Sequence, residues 1–119
     1  MSRHHDAVYL MHIREACERI RQYSTGVTWT AFERNPEKQD AIIRQLEIIG
    51  EANGHLSPTF RAAHDGTPWQ RLKDLRNVLI HGYAQVNLQR VWHIATEQVP
   101  PLRAAVEQAL AERQTEPER

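Results

Sequence analysis

The chain has 119 residues, of which 40% are hydrophobic and 25% are charged, as expected for one globular domain with a single core. Its 15 basic and 15 acidic residues leave a formal net charge of zero, which argues against a protein that binds nucleic acid through its overall field. A single cysteine, Cys17, excludes a disulfide framework and a cysteine-rich zinc site.

No run of residues approaches membrane-spanning length, and the start of the chain lacks the apolar core of a signal peptide. We therefore expect a cytoplasmic protein. Cys17 lies beside the apolar stripe of the first predicted helix, which favours a buried, inert thiol over a reactive one. We expect residues 1–113 to form one domain and residues 114–119 to be a frayed polar tail.

Residues 6–23 are predicted to form the first long helix, which Asp6 can cap. Its apolar positions recur at spacings of three and four residues: Tyr9, Ile13, Ala16, Ile20 and Tyr23. Gly26 ends this run. Residues 30–33 favour a short helical turn that places Phe32 in the core.

Residues 36–56 are predicted to form the second long helix, with Pro36 in its first turn. The main stripe of this helix is apolar except for one asparagine: Ile42, Leu46, Ile49, Asn53 and Leu56. Ile43 and Ile48 lie outside that stripe, so the helix is expected to be buried on a second side. This pattern favours a subunit interface, at which Gly50 would permit close approach.

Residues 57–67 are predicted to be a loop with a short helical turn after Ser57, and Thr67 and Pro68 fit the start of the next helix. Asn87 can cap the last helix. The stripe of that helix stays in phase across a pair of prolines, Pro100 and Pro101, so a kink is expected there: Leu88, Trp92, Ala95, Val99, Leu102, Val106 and Leu110.

The most informative stretch covers residues 74–83 and has the sequence DLRNVLIHGY. Arg76 falls inside an apolar stripe of the predicted helix, and a guanidinium there must meet acceptors or reach water. His81 lies about 140° around a regular helix from Arg76, so the two share no face of one straight helix. Gly82 suits the position just past a helix end. The two side chains could converge within one chain or across a twofold axis, and we favour the axis.

On spacing alone, Arg76 and His81 could equally be ordinary structural residues, and Tyr83 could be a core residue with an exposed hydroxyl. However, Arg76, His81 and Tyr83 form the pattern Arg-x4-His-x-Tyr, and in this the chain resembles the HepT-like toxins of the HEPN ribonuclease superfamily. The resemblance extends over almost the whole chain. It includes LEIIGEA at residues 46–52, PW at 68–69, VW at 91–92 and VPPL at 99–102.

The resemblance implies an all-α, four- to five-helix up-and-down bundle of the HEPN type with a kinked C-terminal helix. It also implies a metal-independent endoribonuclease, in which Arg76 and His81 are catalytic and Asn77 orients the phosphate or the imidazole. Attack by the RNA 2′-hydroxyl would yield a 2′,3′-cyclic phosphate and a 5′-hydroxyl. A homodimer would place two such sites in one cleft. Local attraction for RNA, on tRNA or mRNA, would come from basic residues near the site: Arg61, Arg71, Lys73, Arg76 and Arg90.

In HepT-like proteins the motif tyrosine accepts AMP from a partner nucleotidyltransferase antitoxin, which makes Tyr83 the expected site of adenylylation. ATP would serve that partner, and no cofactor is expected for this chain. The seven histidines show no metal-ligand spacing, so no metal is expected, and His4 and His5 are interpreted as a mobile terminus. The alternative is a non-catalytic helical module that binds and assists the nucleotidyltransferase.

Glu47 and Glu51 lie one turn apart on the second long helix. Glu51 points nearly opposite the main stripe, and both a solvated surface role and a functional role remain open for it. Glu47 is interpreted as a surface carboxylate. Our hypothesis is that Glu51 pairs with an arginine or a histidine near the paired sites.

Overall fold

The computed structural model describes residues 3–67, Leu72 and residues 86–115. Within these ranges the chain is helical and contains no strand, which confirms the predicted all-α bundle. Its elements in chain order are α1 (Arg3–Ser24), α2 (Trp29–Glu33), α3 (Pro36–Gly54), α4 (Pro58–Ala63), α5 (Leu88–His93), a π-helical segment (Ile94–Gln98) and α6 (Val99–Thr115). None of the described helices is long and apolar enough to cross a membrane.

The core lies between three long helices, because α1 packs against both α3 and α6. The stripes predicted for these helices are confirmed at their central positions, which are buried: Ile13, Ile20, Ile42, Leu46, Ile49, Val99, Leu102 and Val106. Phe32 of α2 is fully buried, as predicted. Leu72 also belongs to this core, so the segment after α4 contributes to it.

Side-chain caps fix where four of the helices begin. Thr28 accepts a hydrogen bond from the Ala31 amide, and Asn35 accepts one from Lys38. Ser57 and Asn87 cap α4 and α5 in the same way. Each oxygen satisfies an amide that has no partner inside its own helix. The predicted starts at Pro36 and after Asn87 are therefore confirmed.

Asp6 has a different role from the one predicted. Because α1 already begins at Arg3, Asp6 lies in the first turn and does not cap the helix. Its buried carboxylate instead accepts from the Ser57 amide at 2.8 Å and from the Ser57 hydroxyl at 2.7 Å. The Arg113 guanidinium of α6 lies 3.4 Å away. A buried carboxylate needs several donors, and these three come from two other elements.

The interruption expected at Pro100 and Pro101 takes the form of the π-helical segment that ends just before them. There the Val99 amide bonds to the Ile94 carbonyl, five residues back. Neither proline has an amide hydrogen, and each ring crowds the carbonyl four residues earlier. A wider π turn relieves that crowding while the buried stripe continues into α6.

We expect Asp6→Ala to lower the free energy of unfolding by about 1.5–3 kcal/mol, because it leaves buried donors of Ser57 and Arg113 without their acceptor. Urea denaturation followed by circular dichroism would show a lower midpoint with an unchanged slope. Asp40→Ala is the matched control, since Asp40 is exposed on α3, and its effect should stay within about 0.5 kcal/mol. Equal midpoints for the two variants would contradict the role assigned to Asp6.

Candidate functional site

The structure places one of the predicted site residues, Glu51, on the exposed side of α3. Arg76, Asn77, His81 and Tyr83 lie outside the described residues. Of the predicted helix start at Thr67 and Pro68, Thr67 is described and Pro68 is not. Whether Arg76 and His81 converge therefore stays a prediction.

Two described positions limit where the motif can lie. Leu72 is helical and only 9% exposed, and Val86 is half-buried and packs against the same core. A chain spans at most about 3.6 Å per residue, so Arg76 lies within about 14 Å of Leu72 and Tyr83 within about 11 Å of Val86. Chain length alone therefore sets an upper limit on the distance of Arg76 and Tyr83 from these two described residues.

The two glutamates of α3 differ in their partners. Glu47 is half-exposed and pairs with Arg44 at 3.5 Å, one turn away on the same helix. Glu51 is exposed and forms no ion pair with any other described residue. The predicted surface role of Glu47 agrees with this arrangement. The carboxylate of Glu51 is open to a partner that approaches from outside α3.

The second apolar side of α3 is partly covered within a single chain. Ile43 and Ile48 are half-buried against the core, and Gly50 is buried. Burial of Gly50 therefore does not require the subunit interface that the sequence favoured. The reason is that α3 contacts both α1 and α2, so its apolar surface extends over more than one side.

The loop that leads toward the motif is fixed by aromatic and polar contacts. The Arg113 guanidinium lies 5.3 Å from the centre of the Phe60 ring. The His64 ring stacks on the same Phe60 ring, with the two ring centres 4.2 Å apart. His64 also lies 3.4 Å from the Glu112 carboxylate. α6 thereby holds α4 and His64 in place.

Two of the cations proposed to attract RNA are described, and they differ in availability. Arg61 is half-buried and donates a hydrogen bond to the Asn53 carbonyl of α3. Arg90 is exposed in the first turns of α5 and has no ion pair with another described residue. Arg90 is the better placed of the two to meet a ligand.

Three histidines, two from α1 and one from the end of α3, surround Tyr9. Its ring stacks on His55 with centres 4.6 Å apart, and the edges of His5 and His12 approach at 5.0 and 5.8 Å. His5 also bonds to the His55 carbonyl at 2.8 Å, so the interpretation of this residue as part of a mobile terminus is wrong. In the described part of the chain, no three acidic, cysteine or histidine side chains could hold a metal ion together.

Cys17 is fully buried, and burial raises the pKa of its thiol to about 12. The thiol is therefore protonated and unreactive, as predicted.

Cys17 borders a cavity of about 320 Å³ that Arg21 and Arg103 also line. Both guanidiniums lie 2.7 Å from the Glu18 carboxylate, and that of Arg103 also lies 3.3 Å from Glu107. Two carboxylates therefore counter the two cations, and the cavity is a poor anion site. The hydrogen bond from Arg21 lowers the pKa of Glu18.

Comparison with known proteins finds one family and several relatives named as ribonucleases. The family described as Ribonuclease HepT-like matches residues 13–109. The chain is 35% identical over 102 residues to a candidate RNase of Caldanaerobacter subterraneus, covering 86% of this chain and 91% of that protein. It is 33% identical over 107 residues to a candidate RNase of Methanocaldococcus jannaschii, with coverage of 90% and 98%.

A third relative, from Thermococcus cleftensis, carries the name probable ribonuclease HepT. It is 34% identical over 99 residues, which cover 83% of this chain and 90% of that protein. No solved structure matches the chain. The matched region includes all the predicted site residues, from Glu51 to Tyr83.

Proposed function

Because this chain belongs to the HepT-like ribonuclease family, we propose that it is a metal-independent endoribonuclease and the toxin of a type VII-like toxin–antitoxin pair. Its substrate in this proposal is tRNA or mRNA. The observation that carries the proposal is the family match over residues 13–109, which spans the whole Arg76-to-Tyr83 motif.

The proposed chemistry needs a proton acceptor, a proton donor and a cation at the phosphate. His81 can transfer protons near neutral pH. Arg76 supplies a permanent charge and a fork of donors for the phosphoryl oxygens, and Asn77 orients the phosphate or the imidazole. The 2′-oxygen attacks phosphorus as the bond to the 5′-oxygen breaks. The 2′-proton goes to one imidazole, and the leaving oxygen takes a proton from another.

A homodimer follows from this proton balance. One imidazole does not readily act as base and acid in the same step, whereas two copies of His81 in one cleft can divide the roles. A dimer also merges two sets of basic side chains, among them the exposed Arg90. This matters because the formal net charge of each chain is zero.

We expect His81→Ala to reduce RNA cleavage at least about 100-fold and Arg76→Ala to reduce it by a similar factor, because each removes a transition-state interaction. Purified protein would be assayed on RNA in the presence of EDTA, with circular dichroism as the check of folding. His12→Ala is the matched control, since His12 is an exposed histidine whose ring contact among the described residues is a T-shaped one with Tyr9. Cleavage that EDTA abolishes, or that survives His81→Ala, would contradict the mechanism.

The alternative is a non-catalytic helical module that binds and assists a nucleotidyltransferase. The neutral overall charge is the observation that favours it. Expression in a bacterial host separates the two functions, because a ribonuclease arrests growth and a binding module does not. Arrest that disappears with His81→Ala supports the nuclease.

Tyr83 is the proposed acceptor of AMP from the partner nucleotidyltransferase. An attached AMP places a phosphate beside Arg76 and adds bulk at the cleft, so charge and steric exclusion both inhibit cleavage. We expect Tyr83→Phe to remain toxic and to escape modification when purified partner and ATP are added, with mass spectrometry as the readout. Tyr23→Phe should be modified as the wild type is. Loss of toxicity in Tyr83→Phe would instead assign the hydroxyl to phosphate orientation.

Glu51 is proposed to pair with an arginine or a histidine of the paired sites. Its exposed carboxylate, which lacks a described ion-pair partner, supports this role. We expect Glu51→Ala to weaken cleavage or dimerisation by roughly tenfold, since a charge pair at an interface contributes on the order of 1–2 kcal/mol. Glu47→Ala is the control on the same helix and should change neither. Unchanged activity and unchanged sedimentation of Glu51→Ala would remove the hypothesis.

A further inference from the structure

A groove of about 340 Å³ runs between α2 and the face of α5 that continues into the π-helical segment. Its described lining consists of two tryptophans and four polar side chains: Trp29, Gln89, Trp92, His93, Thr96 and Glu97. The last five recur at helical spacing, so one continuous helix face forms the wall opposite Trp29.

The two tryptophans of the groove both pack on the buried Phe32 of α2. Trp92 is half-buried and stacks on the fully buried Phe32, with ring centres 4.7 Å apart and planes 27° apart. Trp29 lies 6.0 Å from the same Phe32 ring. Gln39 of α3 donates to the carbonyls of Phe32 and Glu33 and so fixes the end of α2. The two indoles are therefore held by packing on Phe32 before any ligand binds.

The polar part of the groove decides what kind of ligand fits. Glu97 is exposed and carries a negative charge, and no lysine or arginine is among the described lining residues. A phosphate would be repelled here, whereas a planar ring with hydrogen-bond donors on its edge would be attracted. Thr96 uses its hydroxyl hydrogen for the Trp92 carbonyl, so its oxygen is left as an acceptor. Acceptors on a stacking platform are the features that bind an unpaired nucleobase.

The position of the groove along the chain suits a substrate that also reaches the motif. Gln89 follows Tyr83 by six residues, so their Cα atoms lie within about 22 Å of each other. That span covers a few nucleotides of extended RNA. Arg90, which is exposed next to Gln89, can meet the backbone phosphate between the two places.

We propose that this groove binds an unpaired guanine of the RNA substrate, with its ring between Trp29 and Trp92 and its N1–H and N2–H donating to the Glu97 carboxylate. Guanine presents these two parallel donors on its Watson–Crick edge, and a carboxylate accepts both. Adenine and cytosine present an acceptor in place of one of them. The inference rests on the proposed ribonuclease function and adds a base preference to it.

The test uses the full chain and two ligands, a cleavable RNA and its 2′-O-methyl counterpart, which cannot be cleaved. Each carries one guanine or, in a matched oligonucleotide, adenine at the same place. We expect Trp29→Leu to raise both KM for cleavage and Kd for the 2′-O-methyl RNA by roughly 5- to 100-fold, because base stacking is lost. The value of kcat should stay within about threefold. Trp29→Phe should restore most of the binding.

Glu97→Gln tests the hydrogen bonds without altering the packing of the groove. We expect the guanine-over-adenine preference to fall by about tenfold or more, as for a lost bidentate contact. Glu37→Gln removes the same charge at the exposed start of α3 and should leave the preference unchanged.

The outcomes separate this inference from the ribonuclease proposal. Binding of 2′-O-methyl RNA without cleavage of the natural RNA overturns the ribonuclease proposal. The groove is then supported if Trp29→Leu raises Kd for that RNA and overturned if Kd is unchanged. If the protein cleaves RNA but Trp29→Leu leaves KM unchanged and Glu97→Gln leaves the base preference unchanged, the proposed role of the groove is overturned. A preference for adenine or for no base likewise overturns the assignment to guanine.

Discussion

The arrangement of the described chain depends on the contact between the Asp6 carboxylate and Ser57. That carboxylate is 4% exposed, and it is bound by an amide and a hydroxyl of one residue and approached by Arg113. Ser57 in turn caps α4. The first turn of α1, the start of α4 and the end of α6 are thus joined at one point. The same point precedes Leu72 in the chain, whose side chain belongs to the core.

Local patterns predicted most of the fold. The stripes of α1 and α3 and the caps at Asn35 and Asn87 depend on residues within one or two turns, so spacing alone locates them. Asp6 was misassigned for the opposite reason. Its partner lies 51 residues away in sequence, and a capping role is the ordinary expectation for an aspartate near a helix start.

The functional residues likewise include some that a local sequence pattern predicts and some that only the fold brings together. The pattern of Arg76, His81 and Tyr83 is local and chemically specific, so the sequence with its family resemblance predicts a site there. The groove was not predicted, because Trp29 and Trp92 are brought together only when α2 packs beside α5. In a linear sequence each tryptophan is simply a large apolar residue. Glu97 gains significance only when both indoles lie beside it.

The π-helical segment carries a consequence for how this chain could have diversified. A π turn is an α-helix with one residue inserted, and each residue of an α-helix advances the next by about 100°. Deleting a single position within Ile94–Gln98 would rotate α5 relative to α6 by that angle. Trp92 would then swing off Phe32 while the buried side of α6 stayed where it is. A one-codon change in length would therefore erase the groove, and it would spare the bundle only if Pro100 and Pro101 were replaced as well, because their rings would otherwise crowd the preceding carbonyls again.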